Sequence, residues 1–408
     1  MNLKLKTICL ALIFLSLVRT NSNGQGMQED TTHLDLEDTG MMIENVISMN
    51  LLEIEYNNLQ STTGEKVELR ARQIVINGDT VKTEEIKTRG QSTLMFKRKS
   101  LSIKLKSKAR FRHGDKDESL KEFYLLNLSM DKYYCRNRVA FEMMDTLGIF
   151  HLFYSYGELK INGRTEGICM ILERPEDWAL KHKKSPVIIR RGYDHKIDKI
   201  KADNKTDRKD AKVYLNNYKQ IYKDLGDYEG EELYSALMEH IDIDYYMKWL
   251  AFNYLVHNGD YSDEVFFYID PKIKKFRIIP WDYDDIFAAN PHEGVKQRNK
   301  IIGDKMIFSS EDLLDKKIAN DPYLYKIYLE RLKEVLETLT PDVLKQVIEN
   351  TYAELYPYYS NKEIISNVQF DYYKDADMKN LKIYLSRIYL ILNDFRNSYL
   401  HDLSRQGS

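Results

Sequence analysis

HNGDYSDEVFFYIDPKIKKFRIIPWDYDD, residues 257–285, consists of two apolar runs framed by acids. Asp260 follows the turn-prone pair Asn258-Gly259. Val265 to Tyr268 is the first run, Asp270-Pro271 marks a turn, and Phe276 to Ile279 is the second. Two β-rich runs around a Pro-containing turn read as a hairpin. Such a hairpin carries the acid at its entry toward Asp282, Asp284 and Asp285 at its exit. Asp282 and Asp284 stand two apart, so along a continuing strand they point to one face. Converging carboxylates suit a hard cation such as Mg²⁺, which takes oxygen ligands and shares them with phosphates. An Asp-rich turn is also an ordinary solvated feature. Trp281 and the apolar runs argue for burial, where unpaired carboxylates need a cation or a donor.

On the N-terminal side of this hairpin helical spacing dominates from Tyr214, through Ile221 to Leu225, Glu231 to His240 and Ile243 to His257. After Asp285 the chain reads as irregular to Lys305. Helices then resume, with Asp321-Pro322 opening one and Thr340-Pro341 another. Further upstream the pattern changes to alternation. LLEIEYNNL and VELRARQIVI lie between Leu51 and Ile76, a turn follows at Asn77-Gly78-Asp79, and Thr83 to Thr88 and Leu101 to Leu105 continue the β-rich start. Tyr124 to Leu128 reads as a short buried strand, and the spacing of Val139, Phe141, Met143, Met144 and Leu147 as a helix stopped by Gly148. Tyr154 to Ile161, the turn Asn162-Gly163 and Thr165 to Glu173 give the clearest hairpin signal in the chain. The expected class is α+β, a β-rich N-terminal part followed by a mainly helical C-terminal part.

The extreme N-terminus is of another kind. Lys4 and Lys6 precede an apolar stretch from Ile8 to Val18, and small polar residues follow from Thr20 to Gly26. This is the layout of a secretory signal peptide, with the mature chain starting near Gln25. The stretch is shorter than the roughly 20 residues of a membrane span, and no Cys stands at its end to accept a lipid. An exported protein without a transmembrane segment in its mature chain is expected, in the periplasm, on the cell surface or secreted. A net charge of −2 argues against nucleic acid as a partner. Cys135 and Cys169 remain after the signal, which excludes a disulfide scaffold; packing accounts for both as free thiols, and a single bridge stays open. The domain reading is a signal peptide at 1–24, a flexible lead-in at 25–45, a β-rich lobe at 46–193, a charged loop or linker at 194–212 and a helical lobe at 213–408 carrying the acidic hairpin 257–285.

One loop between strands, TRGQSTLMFKRKS, places Arg89, Gly90, Ser92, Lys97 and Lys99 together. Amides beside a Gly and fixed cations can hold a phosphate, and a basic surface loop reads the same way. Taken in order, Arg89-Gly90-Gln91-Ser92 followed by KRKSLSIKL, then CRNRVAFEMM, INGRTEGICMILE, NGD and FRIIPWDYDD, resembles the CotH family of secreted atypical protein kinases over roughly residues 83 to 335. The resemblance implies a distant, two-lobe kinase-like fold without the usual Gly-rich loop, and Mg²⁺- or Mn²⁺-dependent phosphate transfer from ATP to Ser or Thr of an exported acceptor protein. Carried onto this chain, it makes Asp260 the catalytic base and Asp282 and Asp284 the metal ligands. It places Arg89, Ser92 and Lys104 on the nucleotide side, with Glu173 holding Lys104. Phosphoryl transfer asks mainly for positioning and charge neutralisation, which such a set supplies. The chain departs from the pattern at Asp263-Glu264, where many members carry an Asn before the first aromatic strand. That leaves open a catalytically silent CotH-like surface or binding protein, and the acid cluster alone also fits a metal-dependent phosphohydrolase.

Overall fold

The computed structural model describes residues 34–131, 133–203, 208–263, 265–366 and 376–406. The signal-peptide reading and Glu264 therefore lie outside the described residues. The chain divides by its contacts into Met1–Asp35 and Leu36–Ser408, and every strand and helix of the described residues belongs to the second unit.

Strands β1 (Val46–Met49), β2 (Glu68–Leu69), β3 (Gln73–Ile76), β4 (Asp79–Thr88), β5 (Leu101–His113), β6 (Lys116–Leu126), β7 (Tyr154–Ile161) and β8 (Arg164–Glu173) form one sheet in the order β2-β4-β3-β1-β7-β8-β6-β5. A further pairing of β4 with β5 closes the ring, so the seven strands other than β2 form a barrel. All neighbours are antiparallel except β1 and β7, which run parallel. Alternation fills the barrel. Leu101, Ile103, Leu105 and Phe111 face inward beside Ile47, Ile74, Ile86, Phe123 and Ile171, all buried, while Lys106 and Arg110 stay outside. Two turns expected from sequence carry the left-handed backbone that Asn-Gly pairs favour, at Asn77-Gly78 and Asn162-Gly163. Helix α1 (Glu53–Gln60) is inserted between β1 and β2, and α2 (Arg136–Thr146) between β6 and β7.

A second sheet holds the acidic hairpin. Its order is β10-β9-β11-β12, all antiparallel, with β9 Val187–Arg191, β10 Ile197–Ala202, β11 Val265–Ile269 and β12 Phe276–Ile279. The hairpin is thus embedded in a four-stranded sheet, and β10 comes from the 194–212 segment read as loop or linker. Its lysines keep most of its surface wet, as on a charged edge strand.

Helices α3 (Arg208–Asp227), α4 (Gly230–His240) and α5 (Ile243–Leu255) precede β11, and α6 (Val295–Ile302) to α11 (Met378–Gln406) follow β12. Helix α6 lies in the stretch expected to be irregular. Helices α7 (Leu313–Asn320), α8 (Pro322–Thr338), α9 (Pro341–Tyr359) and α10 (Lys362–Ile365) complete the set. Asp321 accepts from the Tyr323 and Leu324 amides and Thr340 from Val343, each with Pro at the first helical position. Helix α5 is apolar nearly all round and lies in the core. No helix among the described residues is long and apolar enough to cross a membrane. Cys135 and Cys169 are both buried free thiols. The protein is mixed α+β, β-rich first and helical later.

Candidate active site

Helix α5 delivers the first acid. It ends at Leu255, and His257 takes a left-handed φ of 48°. The His257 ring is sandwiched by Phe308 at 4.7 Å and Phe395 at 4.2 Å, and its Nε2 lies 2.6 Å from the Tyr399 hydroxyl. Burial drives its pKa to about 4, so the imidazole is neutral. Asn258 is held by Asn253 through side chain and backbone, and its Oδ1 accepts the Asp260 N–H at 3.2 Å. Gly259 donates to the Asp285 carbonyl at 3.0 Å. A Cβ at Gly259 would meet the Asp285 carboxylate and come within 2.8 Å of the Ala288 Cβ, so glycine is what lets these two turns touch.

The second group of acids follows β12. The strand stops at Ile279, and Asp282 adopts a φ of 63°. Asp282 and Asp284 are therefore gathered by a turn and not by strand alternation as expected. Tyr283 anchors that turn. It is buried, its amide donates to Asn137 Oδ1 at 2.8 Å, and its hydroxyl accepts from Trp249 Nε1 at 2.9 Å. Arg136 donates to the Asp284 carbonyl at 2.8 Å and to the Tyr384 hydroxyl at 3.0 Å. Trp281 packs on Tyr124 of the barrel at 6.1 Å, and the Arg89 guanidinium lies 4.1 Å from the Tyr124 ring and 4.9 Å from that of Trp281.

The electrostatics are those of crowded acids. Burial first, and then Asp263 with Asp282 and Asp285, raise Asp260 to about 7, with His292 pulling the other way. Burial also raises Asp282 and Asp284; Arg89 opposes the shift at Asp282, and Asp282 and Asp285 add to it at Asp284. Asp285 is raised by burial against Arg136 and His292. None of these four carboxylates has a hydrogen-bonded or ion-paired side-chain partner among the described residues; Asp260 and Asp282 are themselves exposed to solvent, and Asp284 and Asp285 are half-buried.

Other sequence-predicted residues fall elsewhere. Lys104 forms an ion pair with Glu84 at 2.7 Å. Glu173 is buried against His182 Nδ1 at 2.8 Å and accepts the Phe153 amide at 3.2 Å. Glu173 shares its register with Phe123 and Ile103, one residue from Lys104, so the two side chains leave opposite faces of the barrel wall and the expected pair does not form. Ser92 begins a short helical turn, Ser92–Met95, and its side chain lies outside the described residues. The structure adds Arg136 and Asn137, which fall within CRNRVAFEMM, and His292, for which the sequence carries no separate signal; Asp285 belongs to the acid cluster read at the hairpin exit, and Asp263 to the departure before the first aromatic strand.

Among the described residues no three His, Cys, Asp or Glu side chains stand together as a ready-made metal site. The donor set nonetheless fits a small hard cation, since Mg²⁺ is commonly held by one or two carboxylates and completed by phosphates and water. Asp282 and Asp284, brought onto one turn, are the carboxylates that would hold it.

The sequence profile of the CotH kinase protein family matches residues 86–384. The inner spore coat protein H of Bacillus subtilis (strain 168) is 23% identical over 313 residues, 72% of this chain and 80% of that protein. A solved structure, the Shewanella oneidensis MR-1 toxin–antitoxin HipA, HipB and operator DNA complex, is 13% identical with a TM-score of 0.31, over 83% of this chain and 67% of that one. The profile match takes in the barrel strands from Ile86, the Arg136-Asn137 helix and both acidic turns, and with it the chain belongs to the CotH kinase protein family.

Proposed function

We propose that this protein is an exported Ser/Thr protein kinase of atypical, two-lobe architecture that moves the terminal phosphoryl group of ATP to an exported or surface protein. The observation that carries this reading is the meeting of the Asp260 turn with the Asp282–Asp285 turn, through the Gly259 bond to the Asp285 carbonyl, which gathers four carboxylates that have no side-chain partner among the described residues. Asp260, raised to about 7, is poised to orient an acceptor hydroxyl and take its proton. Asp282 and Asp284 would hold Mg²⁺ or Mn²⁺, which when bound neutralises phosphate charge. Arg89, fixed between Tyr124 and Trp281, adds a cation beside Asp282 on the phosphate side. The family and the spore-coat location named for the Bacillus subtilis relative support a kinase working at or beyond the cell surface.

A catalytically silent protein of the same fold is the second reading. It is favoured by Lys104 and Glu173, each engaged with another partner, so that the expected lysine–glutamate pair is absent. Incubation with labelled ATP, Mg²⁺ or Mn²⁺ and a Ser-rich acceptor separates the readings. Label on protein is expected; free phosphate alone would make the protein a phosphohydrolase, and no turnover would leave the silent reading.

A further inference from the structure

His292 stands beside Asp260. Its backbone N–H donates to the Gly259 carbonyl at 3.0 Å, which pins it to the turn that carries that acid. Its Nδ1 lies 3.0 Å from Glu311 Oε1, and the second Glu311 oxygen accepts from the Ser262 hydroxyl. Tyr193 stacks against the ring with centroids 6.4 Å apart and planes 27° apart. The imidazole is thus braced by a carboxylate, an aromatic ring and the backbone, yet its side chain remains 46% exposed. Nε2 has no hydrogen-bond partner among the described residues. With Glu311 accepting at Nδ1, a protonated ring turns Nε2–H outward as a free donor.

We propose that His292 is a further substrate-contacting residue, donating from Nε2 to an oxygen of the phosphoryl group during transfer. The proposal rests on the phosphotransferase reading. A phosphoryl group arriving here brings anionic oxygens among Asp260, Asp263, Asp282, Asp284 and Asp285. Arg89 is held between two rings and Arg136 is bonded to the Asp284 carbonyl and Tyr384, so His292 is the braced donor at the Asp260 turn. Burial lowers the imidazole's proton affinity, but Glu311, Asp260 and Asp263 together raise it above the ordinary histidine value. In the step itself the acceptor O–H bond breaks and its proton passes to Asp260. The acceptor oxygen forms the new O–P bond while the P–O bond to ADP breaks, its electron pair leaving on ADP. His292 keeps its proton throughout and serves the charge on the moving group, the class of interaction with most leverage on rate.

The test compares His292→Phe, which keeps the ring stack and removes the donor, with His292→Gln, which keeps an N–H and removes the ring. His292→Phe should lower kcat about 100-fold with little change in KM for ATP, and His292→Gln should recover much of the loss. Calorimetry supplies a readout independent of turnover. Aluminium fluoride, which mimics the phosphoryl group in flight, should tighten Mg-ADP binding to wild type and to His292→Gln but not to His292→Phe. The assignment is overturned if His292→Phe keeps wild-type kcat or the fluoride gain, or if His292→Gln behaves no better than His292→Phe while both melt like wild type. If wild type itself neither transfers phosphate nor gains affinity from fluoride, the phosphotransferase reading fails and takes this role with it.

Discussion

Replacing Asp282 or Asp284 by Ala removes one of the two carboxylates available to a cation on the phosphates. Either change should weaken metal-dependent nucleotide binding and abolish transfer. Asp260→Ala should leave Mg-ATP affinity nearly intact and lower transfer by roughly 10²–10⁴-fold, the weight of a general base. Nucleotide titration of all three variants is the check; a parallel loss of binding at Asp260 would merge the roles of base and metal ligand. The acids also predict a pH effect on the metal-free protein. Asp260 has a folded pKa of about 7 against the ordinary 3.8, so between these values the native state binds more protons than the unfolded chain. Stability therefore falls as pH rises through that window. Thermal melts without metal should show the decline between about pH 5 and 7, and Asp260→Asn should make it shallower, the raised Asp282, Asp284 and Asp285 keeping the rest. These acids were legible as residue types, because NGD and WDYDD stand out beside apolar runs. The partner of Lys104 was not. Sequence gives the distance between Lys104 and Glu173 along the chain, but which face each leaves depends on a pairing register spread over three strands.

At the scale of elements, the helix starts were legible because caps are local chemistry. Asp321 accepts from Tyr323 and Leu324 and also from the Gly230 amide at 2.8 Å, so one carboxylate caps α8 and ties down the start of α4. Asp321→Ala should cost on the order of 1–2 kcal/mol, at or above the usual cap penalty, read from the urea midpoint with an unchanged slope. A shift no larger than that of an exposed surface substitution would contradict this. The acidic hairpin was also legible, since its two runs are apolar and its turn contains Pro. The strands that flank it were harder to see. Ile197–Ala202 carries two lysines and little apolar surface, and only its backbone pairing with Val187–Arg191 makes it a strand.

Across the whole molecule, buried charge fastens the end of the barrel to the helical part. Arg138 of α2 is buried and reaches Glu354 of α9 at 2.6 Å, while His113 at the end of β5 lies 2.9 Å from the same carboxylate. Burial pushes Glu354 up, but Arg138 and His113 outweigh it and bring the pKa to about 2. The stability this group adds is complete above the ordinary glutamate range and is lost as pH falls toward about 2. Glu354→Ala leaves Arg138 buried with Glu142 as its remaining carboxylate. It should cost about 3–5 kcal/mol, measured by denaturant unfolding, whereas a loss below about 1 kcal/mol would show the pair to be solvated. Arg138 lies within CRNRVAFEMM, but nothing in the chain points that motif to Glu354, so the long-range tie itself had no signature. Barrel closure has a kinetic consequence. Val46–Met49 must find residues 158–161 before the wall is complete, and no local hairpin can bring them together. Such a distant pairing requires a large loop to close early, so refolding should be slow for the molecule's stability. Until it is done, β1 and β7 present open edges to other chains, so a chain still waiting for that closure is the one most exposed to aggregation.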